Sequence, residues 1–157
     1  PTVGLIDGNF RANLEATGMG YRQEVEMIRM AHELDLFTSP YVFDEEDAVA
    51  MVEAGADQLV VHVGLTTSGS IGAAVAMTLD DAIERVLSIA AVARKTRDDI
   101  LIICHGGPFD EPDNVGVALE RMPGIQGFFG ASSIERLPTE RAIRGQVQAF
   151  KSIELRA

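Results

Sequence analysis

Short apolar runs rich in β-branched residues alternate along this chain with stretches in which apolar side chains recur every three or four positions. The first kind suits strands of a parallel sheet covered on both faces. The second marks helices with one face turned inward. The pattern predicts strands over Leu36–Phe43, Gln58–Gly64, Ile100–Cys104 and Ile125–Gly130. It predicts a helix before them with an inward face of Met27, Ile28, Ala31 and Leu34; helices between them with faces of Ile83, Val86, Leu87 and Ala90 and of Val115, Ala118, Leu119 and Met122; and a last helix after them with Ile143, Val147 and Phe150 inward. Thr2–Ile6 is either a further strand or the loop that follows one.

The helix ends carry their own signals. Asp44 suits an N-cap, and the acidic run Glu45-Glu46-Asp47 then falls in a first turn, where the helix dipole favours it over a metal-binding role. Gly55 suits the end of that helix. Thr78 and Asp81 have capping spacing, and Pro112 fits a first helical turn.

Such a β/α array belongs to one of two architectures. An open doubly wound sheet needs about five strands, whereas a closed (β/α)₈ barrel needs eight and typically about 250 residues. With 157 residues, length alone favours the open sheet.

Composition narrows the class. With 46% apolar and 24% charged residues, the chain reads as one soluble folded domain over residues 1–157. No apolar run is long enough to span a membrane. Pro1-Thr2-Val3-Gly4 lacks the basic start of a signal peptide, and its opening on Pro within an apolar segment reads as a piece of a longer chain. Cys104 is the one cysteine, which excludes a disulfide framework and fits a reducing, cytoplasmic setting. The net charge is −11, and the basic residues are scattered rather than striped, so nucleic acid and anionic membrane are not expected partners.

Function in both architectures gathers at the carboxyl ends of the strands. Three loops there are rich in Gly, Ser or Thr: Leu65–Gly72, His105–Pro108, and Gly130 with Ala131–Arg136. Ser132 and Glu135 have capping-box spacing, and Pro138 would limit the helix they open to about a turn and a half. Such a short helix, with the glycines of the preceding loop, is the phosphate-binding device of many barrels. The plainer alternative is a capped helix beside ordinary turn glycines. His62 lies near the end of its strand and His105 just after the next; if those strands are neighbours, the two could share a pocket as acid and base or as two metal ligands, the alternative being satisfied structural histidines. Tyr41 either lines that pocket or packs, and Asp7 is either a turn residue or a pocket carboxylate. Cys104 and His105 point to opposite faces, which makes a Cys–His dyad poor geometry. Gly64 and Gly69 have P-loop spacing, but Ser70 stands where the lysine belongs.

Taken together, PTVGLIDGNFR, GMGYRQEVEMIRMAH, SPYVF, AGADQLVVHVGLTTSGSIGA, CHGGP and GFFGASSIERLPTE resemble the phosphoenolpyruvate hydrolase-like family of TIM-barrel proteins, also described as predicted TIM-barrel signal-transduction proteins. The same barrel is similar to the C-terminal domain of a plant antiviral resistance protein. The resemblance implies a (β/α)₈ barrel of the phosphoenolpyruvate/pyruvate superfamily, of which this chain is the C-terminal half to five-eighths. It also implies a small phosphorylated or carboxylated metabolite as ligand, with hydrolase or lyase chemistry; the alternative is a non-catalytic regulatory module. The positions that match the family's loops are Asp7, His62, Thr66, Thr67, Ser68, His105, Gly106, Gly107, Ser132 and Ser133. Superfamily enzymes hold Mg²⁺ on strand-end carboxylates, and here only Asp7, with Glu135 behind it, is of that kind. A half-barrel exposes two sheet edges and an apolar interior, so pairing with a second copy or with further barrel strands is expected.

Overall fold

The computed structural model describes residues 2–74 and 77–154. After a 3-10 turn at Val3–Leu5 come helices α1 (Gly8–Ala16) and α2 (Tyr21–Glu33). Four β/α steps follow: β1 (Tyr41–Val42) and α3 (Glu45–Glu53), β2 (Gln58–His62) and α4 (Leu79–Thr96), β3 (Leu101–His105) and α5 (Pro112–Arg121), then β4 (Gly127–Phe128) and α6 (Arg136–Lys151).

The strands are all parallel and lie in the order β1-β2-β3-β4. An open doubly wound sheet reverses its strand order at a switch point. Here each strand adds to the same side of the last, as around a barrel. The length argument for an open sheet is therefore overturned, and the chain forms an arc of a β/α barrel.

Alternation along the strands sorts the side chains into two layers. Leu59, Val61, Ile102 and Cys104 are buried in one core with Met51 and Val52 of α3 and Ile83, Val86, Ile89 and Ala90 of α4. The other face, the barrel interior, carries Tyr41, Val60, His62, Ile103 and His105. Cys104 is a core residue, and burial pushes its thiol up to about 11. The capping signals hold. The Asp47 N–H donates to Asp44, and the Asp81 N–H to Thr78.

Several expected elements differ. The strand expected over Leu36–Phe43 is regular only at Tyr41–Val42, although the Thr38 and Pro40 carbonyls accept from Gln58 and Val60. The strand expected over Gln58–Gly64 stops at His62, and the one expected over Ile125–Gly130 shrinks to Gly127–Phe128. Thr2–Ile6 is a turn rather than a strand. On α2, Ile28 is buried as expected, but Met27 and Leu34 are exposed, and the inward contact is made by Tyr21 instead. Pro138 does not end a helix. It stands in the first turn of α6, where its missing N–H breaks no intrahelical bond. On α6, Ile143, Val147 and Phe150 share a face, but that face is exposed, and Leu137 is the buried residue of the helix.

Candidate functional site

His62 and His105 end neighbouring strands and are direct partners in the parallel register. Matching register puts both rings on the inner face at the carboxyl rim, with centroids 4.7 Å apart and planes at 70°. Tyr41 of β1 packs against both, 5.1 Å from each. Phe129, just beyond β4, lies 5.6 Å from His105 on its other side.

The main chain holds each ring by Nδ1. The Gly64 N–H donates to His62 Nδ1 at 3.1 Å. His105 Nδ1 lies 2.7 Å from the Phe129 carbonyl oxygen. Burial first, then the neighbouring His105, pushes His62 down to about 4, against a weak opposing pull from its own carbonyl. Burial also lowers His105 and raises Tyr41. Both imidazoles are therefore neutral near pH 7.

The pair opens on a cleft of about 400 Å³ whose walls include Thr66, Ser132 and Arg136. The loop after β2 gives the cleft Leu65, Thr66 and Ile71 and is itself tied down by side chains. The Ser68 hydroxyl donates to Asp110, and the Arg136 guanidinium donates to the Ser68 carbonyl at 3.0 Å and to Glu140 at 2.8 Å. The Ser70 N–H donates to Glu140 at 2.9 Å.

The glycines after β3 let two loops touch. Gly106 and Gly107 have φ of +81° and +55°, a region that glycine enters freely. The Gly107 N–H donates to the Gly64 carbonyl at 2.8 Å, so it is engaged within the protein rather than aimed at the cleft. The turn after β4 is not the short capped helix expected. Ile134 and Glu135 both donate to the Ala131 carbonyl, and Leu137 to that of Ser132, as the turn runs into α6. Among the described residues, the N–H groups of Ser132 and Ser133 donate to no backbone or side-chain acceptor.

The structure thus gathers His62, His105, Thr66 and Ser132 at one cleft. Thr67 and Ser68 belong to the same loop as Thr66 but do not line the cleft, and the Ser68 hydroxyl turns to Asp110 instead. Gly130 sits beneath the Ile134 side chain. Ser133 lines a separate apolar cleft with Val115, Leu119 and Phe128. Asp7 occupies the N-cap position of α1, exposed and without a capping bond. Arg136 and Asp110 were not singled out by the sequence. Arg136 is visible there only as the residue ending the Ser-Ser turn, and nothing local marks Asp110.

Among the described residues, no three His, Cys, Asp or Glu converge on a point where a metal could sit. The titratable donors facing the cleft are imidazole nitrogens, whereas Mg²⁺ takes oxygen ligands. These residues do not fit Mg²⁺. No helix among the described residues is long and apolar enough to cross a membrane.

Comparison with known proteins agrees with the barrel. The family described as phosphoenolpyruvate hydrolase-like matches residues 1–153. The ToMV resistance protein Tm-1(GCR237) of Solanum lycopersicum is 54% identical over 155 residues, which is 99% of this chain and 21% of that protein. A putative transcriptional regulatory protein of Sinorhizobium fredii is 31% identical over 98% of this chain and 25% of its own length. The chain thus spans between a fifth and a quarter of these relatives. Among solved structures, a putative phosphonomutase from Burkholderia cenocepacia shares the fold with a TM-score of 0.52 and 12% identity, over 93% of this chain and 84% of that one.

Proposed function

Because the chain belongs to the phosphoenolpyruvate hydrolase-like family, we propose that its rim cleft binds a small phosphorylated or carboxylated metabolite and acts on it by hydrolase or lyase chemistry. The observation that carries this reading is the in-register pair His62 and His105, sharing one cleft with Arg136. A guanidinium has five N–H donors in a fork suited to a carboxylate or phosphate, and an anion here would draw on those that the bonds to Glu140 and the Ser68 carbonyl leave over or release. The Ser132 N–H and hydroxyl and the Thr66 hydroxyl supply further donors at the wall. Two neutral imidazoles beside the anion are suited to moving a proton near pH 7. The loop from Thr66 to Ser70 would cover the bound ligand.

The test is a thermal-stability titration of the intact protein with phosphate, phosphoenolpyruvate and oxaloacetate. A rise in melting temperature at millimolar anion supports the site, and no rise with any of the three removes it. Unchanged turnover in both His62→Ala and His105→Ala would remove the proton-handling roles.

A second reading, a binding module without turnover, is favoured by the relatives' names, a resistance protein and a transcriptional regulator. Metabolite profiling with the intact protein separates the two, since consumption of a compound requires an enzyme. In either case the open edges of β1 and β4 and the inner face fit closure by further barrel strands or by a second copy.

A further inference from the structure

We infer that the two histidines work in opposite senses: His105 accepts a proton at Nε2, while His62 stays neutral and donates its Nε2–H to an oxygen of the ligand. This rests on the reading of the cleft as a ligand site, and it deepens that reading by naming the chemistry. A carbonyl oxygen can only accept, so the contact with Phe129 places the ring proton of neutral His105 on Nδ1. Its Nε2 is left with a free lone pair, which is a base. The Gly64 N–H can only donate, so it occupies the lone pair of His62 Nδ1. The proton of neutral His62 is then on Nε2, which makes that nitrogen a donor.

Both Nε2 atoms are available. Neither has a hydrogen-bond partner among the described residues, and the one buried, partnerless side-chain nitrogen or oxygen found there is Arg97 Nε. The Nε2 atoms therefore retain access to the cleft that both rings line. The contact between the rings enforces the division of labour. Once His105 has taken a proton, a second cation on His62, in ring contact with it, is opposed by that like charge, while the Arg136 charge is offset by its ion pair with Glu140. Tyr41, the remaining titratable group packed on the pair, is held in its neutral form by burial.

A base and a neutral donor side by side fit a carbonyl compound with a hydrogen on the adjacent carbon. The C–H bond breaks and its proton goes to His105 Nε2. The electron pair forms the new C=C bond as the C=O electrons move onto the oxygen, and that oxygen accepts a hydrogen bond from His62 Nε2–H, whose proton stays on the ring. Return of the proton from His105 to carbon regenerates the carbonyl and neutral His105.

The test is NMR of the intact protein with ¹⁵N-labelled histidine rings, followed through neutral pH without added ligand. The expected result is a neutral His62 protonated on Nε2 and a neutral His105 protonated on Nδ1. A His62 protonated on Nδ1 towards its own carbonyl, or two rings with the same tautomer, overturns the inference. Oxalate is then added as the probe. Uptake of the proton by His105 with His62 still neutral supports the assignment, and a cationic His62 overturns it. Expected tautomers that oxalate leaves unmoved support the ring assignment and count against the ligand reading. The proton-removal step is read from deuterium incorporation at the methyl carbon of pyruvate in D₂O. Loss of about 100-fold or more in His105→Gln, with a smaller loss in His62→Gln, which keeps an N–H donor, is the expected result. Equal losses, or no incorporation by the wild type, overturn the step.

Discussion

Ser68 and Asp110 meet across the rim although 42 positions separate them, the Ser68 hydroxyl donating to the Asp110 carboxylate. Asp110 is only 4% exposed, so this bond satisfies a carboxylate with little access to water. Ser68→Ala removes the donor and leaves that carboxylate unpaired, which costs about 1–3 kcal/mol. The expected outcome is a lower urea midpoint of the intact protein and faster amide exchange over residues 66–72. Asp110→Asn, which can still accept the hydroxyl, should lose less.

Buried groups of opposite sign act on acid stability. His62 is held down to about 4, so the unfolded chain binds the proton more tightly. Its contribution is complete above about pH 6.5 and is lost as pH falls through 4. His105, also lowered, adds in the same direction. Asp47 is pushed up to about 6 by burial, with the Asp44 charge adding, so the folded chain binds that proton more tightly. Acidification from about pH 6 towards 4 therefore favours the fold at Asp47. Asp47→Asn should lose stability over this window more steeply than wild type, and His62→Gln less steeply. Urea unfolding at a series of pH values checks both slopes.

How much of this was legible in the sequence depended on where the partner lay. Ile83, Val86 and Ala90 of α4 could be read because their face packs on strands of the same chain. The face of Ile143, Val147 and Phe150 could be read as a stripe, but a stripe does not say what covers it, and within this chain it stays exposed. The pairing of His62 with His105 followed from the end of each strand. Arg136 did not emerge, because its link to Ser68 spans 68 positions and no local pattern encodes it. The short helix expected at Ser132 does not form because Pro138 is no stop: it occupies a first turn that needs no N–H from it.

Gly106→Ala tests the contact between the two rim loops. A Cβ there would run into the Gly64 carbonyl oxygen, and the backbone is already at φ +81°. The strain alone costs on the order of 1–3 kcal/mol. The expected result is a clear fall in melting temperature. At Gly107, where the nearest atom would be the Val63 carbonyl oxygen at 3.1 Å, alanine should be less damaging.

An anion bound in the cleft would sit on Arg136 beside His62 and His105. Arg136→Lys keeps the charge but loses the fork, and should weaken phosphate binding by about tenfold, equivalent to about 1.4 kcal/mol. The most direct measurement is a crystal structure of the intact protein soaked in millimolar phosphate or phosphoenolpyruvate. The expected result is an anion within hydrogen-bond distance of the Arg136 guanidinium and Ser132, next to the two imidazoles. A cleft without an anion at that concentration, with Arg136 still bonded to Glu140 and the Ser68 carbonyl, would contradict it.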